Sequence, residues 1–185
     1  MAALKWLSIL IAVVQVYGGQ NSKNSAQKCF VVPKEDVLVV AANVPDSPIE
    51  VVAAHCVGFL DGGSTEVYSI QNRSSKSISG YTIAIVDSDG AETRDSITIS
   101  LPSAYFRQGE VRARSSSSEH REIVPLTDQL RERYRLNGAL KVIKVIIVVR
   151  VEFADGSVYD AERAYKSLKR FLDKDDKTSS GIREK

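Results

Sequence analysis

Short apolar runs separated by turn residues recur along the chain, and they are rich in Val, Ile, Thr and Tyr. This pattern is typical of strands in an all-β protein. Strands are predicted at residues 37–42, 49–57, 66–71, 78–86, 96–101, 111–115 and 140–153. Short strands at this spacing, followed by a helix, predict a mainly β fold: an immunoglobulin-like antiparallel β-sandwich, with a closed barrel as the alternative.

The last predicted strand, LKVIKVIIVVRVEF, has the least usual pattern. One face would carry Val145, Ile147, Val149, Val151 and Phe153. The other face keeps Ile146 and Val148 beside Lys144, Arg150 and Glu152. Because both faces carry apolar side chains, we expect a long central strand that is partly covered on both sides.

Two helices are predicted near the C-terminal end. Thr127 can cap a short helix at about 127–136, and Gly138 can end it. Asp160 can cap a second helix, 160–172, whose apolar face is formed by Ala161, Ala164, Tyr165, Leu168, Phe171 and Leu172. We expect this face to dock on the sandwich. The alternative is contact with an anionic membrane through Lys166, Lys169 and Arg170.

The N-terminal residues match a secretory signal peptide. Lys5 precedes an apolar run at 6–14, and small residues follow it. We expect cleavage after Gly18 or Gly19. An uncleaved anchor is the alternative, although the run is shorter than the roughly 20 apolar residues needed to span a bilayer. The predicted organisation is a signal peptide at 1–19, a disordered segment at 20–28, one sandwich domain at 29–172 and a disordered tail at 173–185. The predicted location is secreted or periplasmic.

Export bears on the two cysteines of the chain, Cys29 and Cys56. An oxidising compartment favours disulfides, so a Cys29–Cys56 bridge is predicted. Two separate buried thiols, each packing as a small hydrophobe, are the alternative.

The stretch IAIVDSDGAETRDSITIS raises the question of a calcium site, because Asp87, Asp89 and Gly90 resemble the start of a calcium loop. The spacing fails, since an EF-hand needs Gly at the sixth position and Gly90 is the fourth from Asp87. A hairpin with a loop at 88–90 would instead place Tyr81 opposite Ile97 and keep one face buried. We therefore expect a turn. Similarly, ADGS at 154–157 is predicted to be a turn.

Few residues suggest catalysis or metal binding. His55 adjoins Cys56, but neighbours in a strand point to opposite faces, so a shared metal ion is not expected. His120 lies in SSSSEHRE, which has the composition of a Ser-His-acid site without its framework. Asn72-Arg73-Ser74 is a glycosylation sequon or a polar turn. The formal net charge of +2 and the lack of a basic stripe argue against a nucleic-acid partner.

Three segments carry a resemblance to known proteins: VYSIQNRSSKSISGYTIAI, RQGE at 107–110 and VRVEFADGSVY at 149–159. Together they resemble small exported bacterial proteins, of acidobacterial type, with an immunoglobulin- or fibronectin-like sandwich. The resemblance covers roughly residues 66–159. It implies the fold and implies no activity or site residue.

These observations predict a non-enzymatic exported module that binds a protein or a cell-envelope component, or that has a structural role. No cofactor or metal is predicted. One alternative is a secreted hydrolase that uses His120 and a nearby serine. Another is a carrier that holds a small ligand in a barrel cavity.

Overall fold

The computed structural model describes residues 27–115 and 121–180. These residues form ten strands and two α-helices. The strands are β1 (Gln27–Val31), β2 (Val37–Ala41), β3 (Ile49–Phe59), β4 (Ser64–Asn72), β5 (Ile78–Asp87), β6 (Glu92–Thr98), β7 (Val111–Ser115), β8 (Arg121–Ile123), β9 (Val142–Phe153) and β10 (Val158–Asp160). The helices are α1 (Asp128–Arg133) and α2 (Glu162–Ser180).

The strands form two sheets packed against each other. Sheet 1 has the order β7–β4–β3–β1–β8, and sheet 2 has the order β10–β9–β5–β6. β2 adds to sheet 2 by pairing in parallel with the first part of β9. β1 and β8 are also parallel, whereas the other strand pairs are antiparallel. The predicted β-sandwich is confirmed, and the closed barrel is wrong because no strand pair joins the two sheets within the described residues.

The connections between strands are those of an immunoglobulin-type sandwich. In sheet 1, β4 pairs with β3 and β7; in sheet 2, β5 pairs with β6 and β9. Immunoglobulin domains place strands A, B and E in one sheet and strands C′, C, F and G in the other. Here β3, β4 and β7 take the first set of positions, and β6, β5, β9 and β10 take the second. β1, β2 and β8 are additions to this framework, and Gln27 and Lys28 of β1 lie in the segment that was predicted to be disordered.

The hairpin between β5 and β6 has the predicted register. Tyr81 is paired with Ile97, and Ile83 is paired with Asp95. Tyr81 and Ile83 are buried in the core between the sheets, and Ile97 packs against that core. The register predicted from the apolar alternation of these two strands is therefore confirmed.

Strand β9 is covered on both faces, as its sequence predicts, but its faces were assigned incorrectly. Ile147 and Val149 pack on the outer face of sheet 2, whereas Val151 and Phe153 belong to the core between the sheets. The pairing with β5 shifts between Thr82 and Ile83, where a β-bulge interrupts the alternation. Beyond a bulge the side chains change faces, so strict alternation fails for the last part of the strand.

Helix α1 forms with the predicted N-cap. The Thr127 side chain accepts a hydrogen bond from the Leu130 N–H at 3.3 Å. The helix does not end at Gly138. Arg135 adopts a φ of 54°, and Leu136 N–H donates to Arg131 O at 2.8 Å, which is the bond of a Schellman C-cap. Arg135 thus occupies a left-handed position that usually favours glycine.

Helix α2 docks on the outer face of sheet 2. Tyr165 is buried among side chains of β5 and β9, with Leu168 and Leu172 packed beside it. Asp160 Oδ1 accepts a hydrogen bond from Glu162 N–H at 2.8 Å, in agreement with its predicted capping role. Within the described part of the chain, no helix has the length and apolar character needed to cross a bilayer.

Two predictions about this region were wrong. Phe171 was placed on the buried face, but it is 63% exposed at the edge of the apolar stripe. The helix also continues to Ser180 and does not end at Leu172 as predicted.

We predict that Tyr165→Ala and Phe171→Ala differ sharply in their effect on stability. Tyr165 is 2% exposed and Phe171 is 63% exposed, although both are aromatic residues of one helix. The first change should lower the free energy of unfolding by about 3 kcal/mol, and the second by less than about 0.5 kcal/mol. Urea unfolding of both variants measures this. Equal losses would contradict the docking described above.

Ionic contacts also fasten α2 to β6. Lys169 Nζ donates to Glu92 Oε2 at 2.6 Å, and Arg94 Nε donates to Glu92 Oε1 at 2.8 Å. The Arg94 guanidinium lies 4.4 Å from the Tyr165 ring centroid. Hydrogen bonds from Lys169, Tyr165 and Arg94 lower the pKa of Glu92 from 4.5 to about 2.

This pKa shift predicts a pH-dependent contribution from Glu92. A carboxylate with a lowered pKa in the folded state stabilises the fold above the unfolded-state pKa, and the contribution is lost as the pH falls through the folded-state pKa. Glu92→Gln should therefore be less stable than the natural protein at pH 6, and the difference should decrease between pH 4.5 and 2. Urea titrations across this range measure it. Glu35→Gln, at an exposed position in the β1–β2 turn, is the control. A pH-independent difference for Glu92→Gln would contradict this account.

Candidate functional site

A charged cluster joins the two sheets inside the sandwich. Lys144 of β9 is paired with Asp87 of β5, and its Nζ lies 2.6 Å from Asp87 Oδ2. The same Nζ lies 2.8 Å from Oε1 of Glu66, which comes from β4 in the opposite sheet. The Lys144, Glu66 and Asp87 side chains are only 14%, 11% and 15% exposed. This buried cation therefore connects carboxylates of both sheets.

The surroundings fix the protonation states in this cluster. Burial disfavours the Lys144 ammonium, but its hydrogen bonds to Asp87 and Glu66 outweigh burial and raise the lysine pKa. Burial is the main cause that raises the pKa of the adjacent Cys56 thiol to about 11. At neutral pH the lysine is a cation and the cysteine a neutral thiol. Neither is in the form that acts as a nucleophile, and the cluster has the properties of an inter-sheet contact.

Asp87 and Asp89 do not act together as ion ligands. Asp87 binds Lys144, whereas Asp89 Oδ1 accepts a hydrogen bond from Ala91 N–H at 3.1 Å within the turn. Gly90 has a φ of 89°, and its N–H donates to Asp87 O at 3.0 Å. In residues 27–115 and 121–180, no three His, Cys, Asp or Glu side chains are placed to hold a metal ion. The predicted turn is confirmed.

The predicted Cys29–Cys56 disulfide is not present, since both cysteines are free and buried. Cys29 is paired with Phe59 and packs on the outer face of sheet 1. Cys56 packs on the inner face with Phe30. A disulfide needs Cα atoms within about 7 Å and converging Cβ atoms, and side chains on opposite faces of a sheet do not meet this condition. The alternative of two separate buried thiols describes the structure.

The structure describes one of the two histidines, His55. His55 is half-buried, and its strand position is paired with Val67, on the face opposite to Cys56. This agrees with the prediction that His55 and Cys56 cannot share an ion. His120 and the serines at 116–118 lie outside the described residues.

Asn72 of the sequon has a structural role. Its side chain is fully buried, and Nδ2 donates to Lys76 O and Phe106 O, each at 2.8 Å. Oδ1 accepts hydrogen bonds from the Ser74 backbone N–H and hydroxyl. An asparagine in this position has no free amide for a glycan, and the polar-turn interpretation of the sequon is confirmed.

The three segments that carry the resemblance meet at this end of the sandwich. Gly109 N–H of RQGE donates to Asn72 O at 2.8 Å. Lys76, from the segment after Asn72, contacts Asp155 Oδ2 at 2.7 Å and Ser157 Oγ at 3.0 Å in the ADGS turn. Residues of these segments therefore hold three loops together, and the contacts described have a structural role.

A pocket of about 440 Å³ lies at the opposite end of the sandwich, between α1 and sheet 1. Its walls come from the ends of β1 and β3 and from the chain that leads from β8 into α1. The lining residues are Lys28, Leu60, Val124, Pro125, Thr127, Gln129, Leu130 and Arg133. Pockets that bind small molecules have volumes of about 300–1,000 Å³ and mostly apolar walls.

Packing of α1 against sheet 1 creates this pocket. The Tyr134 ring meets Phe30 edge-on at 5.0 Å between centroids, and its hydroxyl donates to Phe59 O. The Phe30 ring in turn lies over Gly58, where a Cβ atom would be 2.5 Å from Cζ of the ring. Arg133 Nη1 donates to Leu60 O at 2.8 Å. These contacts hold α1 away from β3 by one layer of side chains, and the pocket opens beside that layer.

The sequence pattern does not predict this pocket. Leu126, Leu130 and Tyr134, which recur every four residues, form an apolar stripe that packs against the core. However, an amphipathic stripe indicates only that a helix is covered, and the partner Leu60 is distant in sequence. The available signal was the long segment before β9, which exceeded what a simple strand connection needs.

We predict that Lys144→Met lowers the free energy of unfolding by about 3 kcal/mol, because it leaves two largely buried carboxylates without their cation. A triple variant that adds Glu66→Gln and Asp87→Asn should recover most of this loss, since no uncompensated charge remains. Thermal and urea unfolding at pH 7 measure both. A loss below about 0.5 kcal/mol for Lys144→Met would contradict this account, because it would show that water stabilises the two carboxylates without the lysine cation.

Comparison with known proteins adds no assignment to this geometry. No protein-family model, no curated protein and no solved structure matches the chain. The resemblance to small exported bacterial proteins therefore stays a prediction.

Proposed function

We propose that this chain is an exported, non-enzymatic binding module whose ligand site is the pocket between α1 and sheet 1, here called the α1 pocket and lined by the eight residues named above. The observation that carries the proposal is a concave, mostly apolar surface of small-molecule size next to a rigid framework. The α1 segment is an insertion into the connection between sheets 1 and 2. A sandwich end modified by such an insertion is a common place for a binding site.

The support for a preformed site comes from how the α1 segment is held. Asp36 Oδ1 accepts hydrogen bonds from Asn137 N–H at 2.9 Å and Gly138 N–H at 3.2 Å. Lys141 Nζ donates to Tyr134 O at 2.8 Å. A segment fastened on both sides pays little further ordering entropy when a ligand binds, which favours binding.

Export is part of the same proposal and has separate support. The Lys5 charge, the apolar run at 6–14 and the small residues that follow match a signal peptide. Residues 1–26 lie outside the described residues. The expected partner would then be met outside the cytoplasm, in the envelope or in the medium.

We predict that the neutral fluorescent probe N-phenyl-1-naphthylamine binds the α1 pocket with a Kd on the order of 100 μM, from about 0.3 kcal/mol per non-hydrogen atom. Gln129 is exposed and lines the pocket, so Gln129→Trp should fill the opening and abolish the fluorescence increase. Glu132→Trp is the matched control, because Glu132 is exposed on the same helix and does not line the pocket.

Fluorescence titration of the three proteins decides the matter. The proposal requires binding by the natural protein and by Glu132→Trp, and loss of binding in Gln129→Trp. No binding by the natural protein, or equal binding by all three, would overturn it. Circular dichroism checks that the variants are folded.

A further inference from the structure

We infer that the ligand of the α1 pocket is a small amphipathic anion, a carboxylate with an apolar tail, an inference that rests on the proposed function. The pocket combines an apolar floor with a basic rim. Leu60, Val124, Pro125 and Leu130 supply apolar surface, and Lys28 and Arg133 are the charged lining residues. Both charges are positive. A ligand that fills the floor and reaches the rim therefore needs an apolar body and a negative group.

Lys28 is available for such a ligand. The Lys28 side chain is exposed. Lys28 and Phe30 are two residues apart in β1, so their side chains lie on the same face of the strand, and Phe30 packs against the α1 segment. The Lys28 backbone O accepts a hydrogen bond from Leu60 N–H at 3.1 Å, which fixes its position beside the pocket. In the part of the chain that the structure describes, the Lys28 ammonium makes no ion pair.

Arg133 is oriented by the fold. One of its N–H groups donates to Leu60 O at 2.8 Å, and this contact leaves other donors of the guanidinium for a ligand. Guanidinium groups bind carboxylates by paired hydrogen bonds. Arg133 therefore provides a directed donor, whereas Lys28 provides a mobile charge.

The nearby acidic residues do not line the pocket, so they do not neutralise the positive charge of Lys28 and Arg133 at its rim. Asp61 follows Leu60 and accepts a hydrogen bond from Gln27 Nε2 at 3.4 Å. Asp128 and Glu132 lie on α1, and Glu122 of β8 is the register partner of Lys28 in β1. None of these four carboxylates lines the pocket, and within the described residues none forms an ion pair with Lys28 or Arg133. The lining charge is therefore positive although the whole chain is close to neutral, with a formal net charge of +2.

The test compares two probes with the same nonyl tail and opposite head groups, decanoate and nonyltrimethylammonium, as competitors of N-phenyl-1-naphthylamine. For the natural protein, decanoate should displace the dye at a concentration about fivefold lower than the cation, and added salt should reduce this preference. Both competitors are used below their micellar concentrations.

A charge reversal at the rim provides the second measurement. Lys28→Glu should remove or reverse the preference for decanoate, because it replaces a positive charge at the rim by a negative one. The variant should fold, because the Lys28 side chain is exposed. Lys166→Glu is the matched control, since Lys166 is exposed on α2, which packs on sheet 2. It should keep the preference of the natural protein.

The outcomes separate the two proposals. If both probes displace the dye equally, or if Lys28→Glu and Lys166→Glu behave alike, the anionic ligand is wrong while the binding pocket stands. If the dye itself does not bind in the pocket, as judged by Gln129→Trp, the proposed function fails first. Stronger displacement by the cation would also overturn the inference.

Discussion

The need to cover β9 on both faces sets the architecture of this protein. Its inner face packs against sheet 1, and its outer face would be exposed without α2, whose Tyr165 is buried against it. Burial of a large apolar side chain contributes about 1.5–3 kcal/mol, so leaving either face in water would remove a large part of the net stability of a domain. The bulge in the β5–β9 pairing turns Val151 toward the inter-sheet core, whereas Ile147 and Val149, which precede it, face the helix. The remaining elements are arranged around this strand.

The two ends of the sandwich have different kinds of organisation. At one end Asn72 and Lys76 tie three turns together through backbone carbonyls and the ADGS turn. At the other end the buried Lys144 cation connects the sheets, and an inserted helix rests on aromatic contacts with Phe30. At the first end the polar groups satisfy each other locally, and the open depression beside the RQGE turn is lined by both polar and apolar residues. The second end contains a concave apolar surface because a helix on a sheet cannot follow its shape everywhere.

Local periodicity predicted the parts of the fold that depend on neighbours in sequence. The register that pairs Tyr81 with Ile97 follows from alternation within two strands joined by a short loop, and the capping role of Thr127 follows from its own side chain. The errors arose where distant partners decide. Val151 turns inward because of a bulge imposed by pairing with β5, and Phe171 is exposed because the sheet under α2 covers only part of the stripe. β1 and β8 were missed because their parallel pairing joins segments far apart in the chain. The α1 pocket belongs to the same class, since Leu60 and Arg133 meet only in the folded protein.

The separation of Cys29 and Cys56 by sheet 1 has a consequence for how this chain would fold in an oxidising compartment. In the native state both thiols are buried, and burial raises their pKa values, so oxidants that act on the thiolate react slowly with them. In the unfolded chain the same thiols are exposed, and a bridge formed there would hold together two residues that the native sheet keeps on opposite sides. Folding and oxidation are therefore in kinetic competition. The yield of natively folded protein in an oxidising compartment would depend on how quickly β1 pairs with β3. A reductant present during refolding would raise this yield, because it would reduce a non-native Cys29–Cys56 disulfide.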